Sequence, residues 1–269
     1  MVLSDRSAAA RPVGAGPPVA HPPVPADTLD GSPEGAVRHA IALVRDTLPP
    51  LHPGGRPVIG AVAAAALGVR LLRGRGTVGA LALTAGVAAF FRAPHRTTPR
   101  RAGIAVAPAD GTVNLVDTAE PPPELGLPPG PRPRVSVFLS VYDVHVQRVP
   151  VDGQVQAVEH RPGTYLSADL PAASATNART ALWIRGTDAH DVAVLQIAGL
   201  VARRILCDVR PGDELRAGDT YGLIRFGSRV DLLLPPGSRI LVEPGQRTVG
   251  GETVVADLPT GPDPSAGGT

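Results

Sequence analysis

Lysine is absent. All 26 basic residues among the 269 are arginine, set against 24 acidic ones. Without lysine there is no internal aldimine with pyridoxal phosphate, no lysine Schiff base, and no side chain for lipoyl or biotinyl attachment. Cysteine is nearly absent too. A lone Cys207 excludes an intramolecular disulfide and a cysteine metal cluster. Aromatic residues make up 3% of the chain and the net charge is +2, with a pI near 9.2. That is too little stacking surface and too mild a charge excess for nucleic acid, which is not expected as a partner. His160, His190 and the N-terminal histidines lack ligand spacing, so no metal site is expected. The N-terminus has no compact basic-then-apolar start, so no secretory signal is expected, and the soluble part is expected in the cytoplasm.

Proline and glycine are abundant, 31 of each, and they concentrate at the two ends and in the loop PPPELGLPPGPRPR (121–134). Residues 1–35 and 257–269 read as disordered arms with too little apolar patterning to fold. Residues 36–99 read as a helical membrane-associated segment. It holds a short amphipathic stretch over 36–48 and two apolar runs, PVIGAVAAAALGV (57–69) and TVGALALTAGVAAFF (77–91). Neither run reaches the roughly 20 residues of a comfortable span, so a hairpin dipping into one leaflet, or two marginal spans, is expected, with a buried helix pair as the alternative. Arg70, Arg73, Arg75, Arg92 and Arg96 suit anionic headgroups.

From 100 to 256 the pattern turns to period two. It predicts a mostly β, compact sandwich- or barrel-like domain of short strands, with turns at Asp110-Gly111 and Asp152-Gly153. In IRFGSRVDLLLP (224–235), alternation on both sides of Gly227-Ser228 predicts a two-residue hairpin turn. Alternation along 135–149 puts Val137, Leu139, Val141, Asp143, His145 and Gln147 on one face. His145 thus stands where an apolar side chain is expected, two residues from a carboxylate. It is either a satisfied structural histidine or a general base whose ring a neighbouring carboxylate orients. Asp110 reads by itself as the acceptor closing an Asp-Gly turn.

Five stretches in order, GIAVAPADGTV, FLSVYDVHVQRVPVDG, YLSADL…ATNAR, QIAGLVARRI and IRFGSRVDLLLP, together resemble the short-type phosphatidylserine decarboxylases. The resemblance covers about Phe91 to Glu243, and the apolar pair ending in FFRAPHR looks like that family as well. It implies a self-processing proenzyme whose cofactor is a covalent pyruvoyl group derived from Ser228, without pyridoxal phosphate or metal. Cleavage at Gly227-Ser228 would leave a large chain, 1–227, paired with a small chain, 228–269; further oligomerisation is left open. The pyruvoyl ketone would form a Schiff base with the amine of phosphatidylserine and release carbon dioxide and phosphatidylethanolamine. His145 matches the family's histidine, Asp110 its orienting aspartate, and Asp143 an acidic neighbour. The substrate implies an anionic membrane, here the cytoplasmic face of the cell membrane, with peripheral or shallow insertion. Two positions depart from the family pattern. Arg148 stands where longer members carry a second histidine, and Ala178 replaces an acidic residue after the asparagine of ATNAR. Two other readings remain: a non-catalytic, lipoyl-like adaptor on a membrane hairpin, and a decarboxylase of another serine-headgroup lipid such as archaetidylserine.

Overall fold

The computed structural model describes residues 37, 39, 48–73, 77–170, 173–200, 204–225 and 227–259. The expected N-terminal arm, most of the amphipathic stretch and most of the C-terminal tail lie outside the described residues. The described chain divides after His95 into two units.

The first unit contains two helices, α1 (Arg56–Arg73) and α2 (Thr77–Phe90). A 3-10 turn over Pro53–Gly55 leads into α1, and the His52 ring accepts from the Gly54 N–H at its start. Helical structure therefore extends the first apolar run at both ends, through Arg56 and Arg70. Pro53–Leu72 spans 20 residues at a mean hydropathy of 1.4, long and apolar enough to cross a membrane. This corrects the expectation that neither run reaches spanning length. Isolated arginines at the ends of an apolar helix can extend their charged heads toward the interface, so they do not stop it. The α2 helix, with 14 residues, stays short.

The second unit is antiparallel β-structure. Among the described residues its longest sheet has eight strands in the order β13-β2-β3-β11-β7-β6-β5-β9. In chain order these are β2 (Gly111–Ala119), β3 (Arg132–Leu139), β5 (Gly153–Arg161), β6 (Arg179–Gly186), β7 (Asp191–Ala198), β9 (Glu214–Leu215), β11 (Ser228–Leu233) and β13 (Arg247–Thr248). Two three-stranded sheets complete the unit. One joins β1 (Ile104–Val106), β14 (Val254–Asp257) and β12 (Arg239–Ile240); the other joins β4 (Val146–Arg148), β10 (Thr220–Ile224) and β8 (Ile205–Cys207). A mostly β, barrel-like domain behind an apolar helical segment is thus observed.

Strand β11 explains the layout. It lies inside the long sheet, hydrogen-bonded to β3 on one side and β7 on the other, and every residue in it is buried. Val230 and Leu232 join one apolar cluster with Val137, Val135 and Val194, while Leu233 faces a second with Leu195, Ile197 and Leu125. Burying such side chains stabilises the fold by roughly 1.5–3 kcal/mol each. A strand covered on both faces reads as a near-continuous apolar run, as VDLLL does.

The expected hairpin at Gly227-Ser228 is not found. Strand β10 pairs with β4 and β8, whereas β11 pairs with β3 and β7. The segment between them passes from one sheet to another. Period-two alternation identifies strands but carries no information about their partners, which are fixed by non-local packing. The same holds at Asp110-Gly111 and Asp152-Gly153, which join β1 to β2 and β4 to β5, strands that also lie in different sheets.

Candidate active site

Ser228 opens β11, with Leu139 and Ala198 as its register partners on the two sides. Its side chain is fully buried, and Oγ has no hydrogen-bond partner. A buried hydroxyl left unpaired costs about 1–3 kcal/mol, so its persistence calls for an explanation. The preceding residue, Gly227, has φ +57°, a left-handed conformation that glycine adopts at no steric cost. Its carbonyl oxygen lies so close to Gly199 that a Cβ built there would stand 2.2 Å away. Two glycines thus define this peptide bond, one by its conformation and the other by its lack of a side chain.

The loops flanking Ser228 are fixed by a few polar side chains. Asn177 donates from Nδ2 to the carbonyls of Leu166 (2.8 Å) and Ala198 (2.8 Å), and its Oδ1 accepts from the Leu166 N–H (2.9 Å). Arg229, fully buried, donates to the carbonyls of Ala168 (3.3 Å) and Leu170 (3.0 Å). Its Nε stands 2.9 Å from Asp231 Oδ1, an ion pair in which the N–H does not point along the line between them. Asp231 Oδ2 accepts from Ser174 Oγ at 2.6 Å, and Arg134 Nη1 lies 3.5 Å away. Arg134 in turn forks onto Asp117. This chain of charges was missed in the sequence, although an Arg and an Asp two residues apart in an apolar strand share one face and signal a buried pair.

His145 precedes β4 and is fully buried. Its Nδ1 lies 2.9 Å from the Asp143 main-chain carbonyl, so Nδ1 carries the proton and donates, which puts the lone pair on Nε2. A main-chain carbonyl, rather than a carboxylate, sets the ring. The His145 carbonyl accepts from the Ile224 N–H at 3.3 Å and from Gln147 Nε2 at 2.7 Å, and Gln147 Oε1 accepts from Gln196 Nε2 at 2.9 Å. These bonds tie His145 to the end of β10, four residues before Ser228.

The continuous face expected along 135–149 is broken. Strand β3 stops at Leu139, and Asp143 Oδ2 accepts from the Ser140 N–H (2.8 Å) and Oγ (2.7 Å), closing a turn. Val141 consequently points outward, 54% exposed, while Val137, Leu139, His145 and Gln147 are buried. The Asp143 carboxylate also meets Arg247 at 2.5 Å. Burial raises its pKa, but hydrogen bonds from Arg247 and Ser140 outweigh that and hold it below the ordinary range. Asp110 Oδ1 accepts from the Gly250 N–H (2.8 Å) and Oδ2 from Arg96 (2.6 Å). Burial here prevails over Arg96 and lifts the Asp110 carboxyl above its usual range, with the Asp143 charge adding to the effect. Asp110 and Asp143 are therefore electrostatic neighbours in one Arg96–Arg247 cluster, while neither carboxylate bonds the His145 ring. At the two departures, Arg148 donates to the Gly218 carbonyl at 3.1 Å. The Ala178 main chain bonds both Thr164 and Ala198. No cluster of three potential metal ligands occurs among the described residues.

The family model described as Phosphatidylserine decarboxylase matches residues 83–256. A phosphatidylserine decarboxylase proenzyme of Saccharopolyspora erythraea is 62% identical over 221 residues, 82% of this chain and 93% of that protein. One from Mycobacteroides abscessus is 59% identical over 84% of this chain and 95% of its own length. Another, from Mycobacterium marinum, is 54% identical over 242 residues, 90% of this chain and all of its own. A family match over more than half of the chain, with relatives this similar over nearly their whole length, shows that the chain belongs to the phosphatidylserine decarboxylase family.

Proposed function

We propose that this chain is a proenzyme that cuts itself between Gly227 and Ser228 and then decarboxylates phosphatidylserine to phosphatidylethanolamine. The observation that carries the reading is the buried, unpartnered Ser228 Oγ beside a glycine carbonyl in a left-handed backbone. A hydroxyl kept away from hydrogen-bonding partners keeps its lone pairs for attack, and a glycine acyl group presents an unhindered carbonyl. Membership in a decarboxylase family speaks against the adaptor reading.

Processing follows from the chain's own atoms. Ser228 Oγ adds to the Gly227 carbonyl carbon and gives up its proton to His145 Nε2. The C–N bond then breaks, leaving an ester between Gly227 and Ser228 and a free amine on Ser228. Loss of the Ser228 α-proton expels the Gly227 carboxylate and leaves a dehydroalanine. Tautomerisation and hydrolysis release ammonia, and the new N-terminus is a pyruvoyl group. No external oxidant is needed. When formed, that group supplies an electrophilic ketone conjugated with an amide, the electron sink that a lysine-free chain cannot obtain from pyridoxal phosphate.

The residues present fit such a group. Its position is buried, Gly199 leaves room beside the Gly227 carbonyl, and Arg229 anchors the residue that follows. Arg148 remains a cation at neutral pH even though burial lowers its pKa, so His145 is the side chain assigned to proton transfer in both steps. The Asp143 and Asp110 carboxylates act through the main chain and local field rather than by contact with the ring. The segment from 228 onward supplies β11, β12, β13 and β14, which pair with β3, β7, β2 and β1. Cleavage would therefore leave a large and a small chain interlocked as a heterodimer, at the cytoplasmic face of the membrane that the Pro53–Leu72 helix contacts.

Mass spectrometry of the purified protein tests this reading. The expected result is two fragments in place of the intact 27.5 kDa chain, eluting together under native conditions, with the smaller starting at residue 228 and blocked to N-terminal sequencing. Ser228→Ala should remain whole and inactive, and His145→Ala should process slowly. A single intact wild-type chain with unmodified Ser228 would sink the proposal.

A further inference from the structure

The exposed apolar side chains of the β unit are not scattered. Eight large ones are exposed among its described residues, and six of them, Val141, Tyr142, Tyr165, Leu166, Leu170 and Leu200, lie in three loops. Those loops meet at one place. Val141 and Tyr142 follow Leu139, and Leu200 follows Ala198, the two register partners of Ser228. The third loop is pinned to the same end, because Asn177 bonds Leu166 and Ala198 together and Arg229 holds Ala168 and Leu170. Tyr142 is 84% exposed and Leu200 66%, although neither is needed to close the core. Apolar groups concentrated this way on a soluble-type domain mark a contact surface.

Two arginines stand beside them. Arg225 N–H bonds the Arg204 carbonyl at 3.1 Å, continuing the Ile224–Ile205 rung of β10 and β8. Burial and then the Arg204 charge depress the Arg225 pKa, so the two guanidiniums feel each other. Two like charges are thus held together on the strand end that leads into Gly227, a combination that favours an anionic surface. Two acids lie in these loops: Asp143 is paired with Arg247, and Asp169, exposed, accepts from the Ser167 hydroxyl and keeps its charge.

We propose that these loops form a membrane-docking face of the β unit itself, placing the six apolar side chains in the interface of an anionic bilayer while Arg204 and Arg225 contact its phosphates. The face is centred on the bond that becomes the reactive end. A lipid headgroup would then reach Ser228 without leaving the bilayer, because the loops that frame the site are the ones that enter the lipid. Tyrosine and leucine at such a boundary, with arginine beside them, are the residues that partition there. Each basic group near an anionic surface adds about 1 kcal/mol. The proposal rests on the reading that the substrate is a bilayer lipid.

Its test reads lipid contact and not turnover, so the two can fail separately. In the full-length Ser228→Ala, Cys207→Ser chain, a fluorescent label is placed at Tyr142→Cys, Leu200→Cys or Asp188→Cys. Position 188 lies beyond the far end of β7, whose seven residue steps of about 3.3 Å put it more than ~23 Å from Ala198. Vesicles of phosphatidylcholine alone, or with phosphatidylserine, carry a quencher at the level of the glycerol backbone. The expected result is loss of most fluorescence at 142 and 200, none at 188, and a weaker loss without phosphatidylserine. Equal quenching at all three positions, or none at 142 and 200, would overturn the proposal. Equal quenching with and without phosphatidylserine would remove Arg204 and Arg225 from it. A lipid-independent response that grows with protein concentration would assign the face to a second copy of the chain instead.

Discussion

Adding one methyl group at residue 199 should delay self-cleavage far more than it harms folding. In Gly199→Ala the new Cβ would stand 2.2 Å from the Gly227 carbonyl oxygen, where real contacts do not fall below 3.0 Å, so something must move by about 0.8 Å. The backbone at 199 is not in the left-handed region, so alanine itself is conformationally tolerated and the cost is purely steric. The Ala168 Cβ, 3.2 Å from the same point, limits escape to the other side. Gly199 and Gly227 each lie one residue outside a paired strand, β7 and β11, so the Gly227 carbonyl takes up part of the shift. Overpacking of this size costs roughly 1–3 kcal/mol. Misplacing a reacting atom by about 1 Å costs on the order of a hundredfold in rate, so cleavage should slow by roughly tenfold to a hundredfold. A gel time course after translation in vitro measures the disappearance of the intact chain. Thermal unfolding of the same change in a Ser228→Ala background separates a slow cut from a failed fold. A folded Gly199→Ala protein cleaving at the wild-type rate would refute the claim that this glycine positions the bond.

Arg229→Met should destabilise the protein by up to about 3–5 kcal/mol, because it removes the nearer of the two guanidiniums facing the buried Asp231 and leaves only Arg134 at 3.5 Å and the Ser174 hydroxyl, and adding Asp231→Leu should recover most of the loss. Thermal unfolding in detergent checks this, and a double variant as unstable as the single would mean the guanidinium matters for its loop contacts rather than its charge. The two aspartates near His145 should give opposite pH trends. Asp143 is lowered on folding, so its contribution to stability is present above the ordinary carboxylate value of about 3.9 and lost as pH falls through the folded value. Asp110 is raised, so its contribution is full below that value and lost as pH rises through the folded one. Asparagine resembles the protonated carboxyl, so the unfolding profiles of both variants should approach wild type in acid; as pH rises, Asp143→Asn should fall below wild type in stability and Asp110→Asn should rise above it. Parallel profiles for the two variants would contradict the assignment.

What could be read from the sequence was local. Alternation marked the strands, and motif order marked the family, because both survive in short windows. Partners did not. The Gly227-Ser228 segment looked like a hairpin because apolar alternation flanks it on both sides, yet β10 and β11 belong to different sheets. The turn at Ser140–Asp143 was hidden for a related reason: Asp143 continues the two-residue period of β3 while its carboxylate ends the strand. The polar groups that organise the site, Asn177 across to Ala198 and Arg229 across to Leu170, act between segments 20 to 60 residues apart. No window shows such a pair, since each member alone looks like an ordinary polar residue.

The corrected topology also changes what the cut would accomplish. At a hairpin apex, cleavage would free two strand ends that still pair with each other, and the new terminus would stand at an exposed loop tip. Here the bond joins two sheets, and the residue on its far side is already locked into the middle of the larger one. Six successive residues of β11 are paired on both sides, and Arg229 clamps the second of them. The segment before the bond, by contrast, ends its ladder at Ile224. Cleavage would therefore free the Gly227 side, where a glycine in a left-handed conformation lies outside any ladder, without loosening the Ser228 side. A covalent group made from Ser228 would inherit a position fixed before it existed. That asymmetry, rather than turn chemistry, is the physical reason to make the cofactor at the start of a buried central strand.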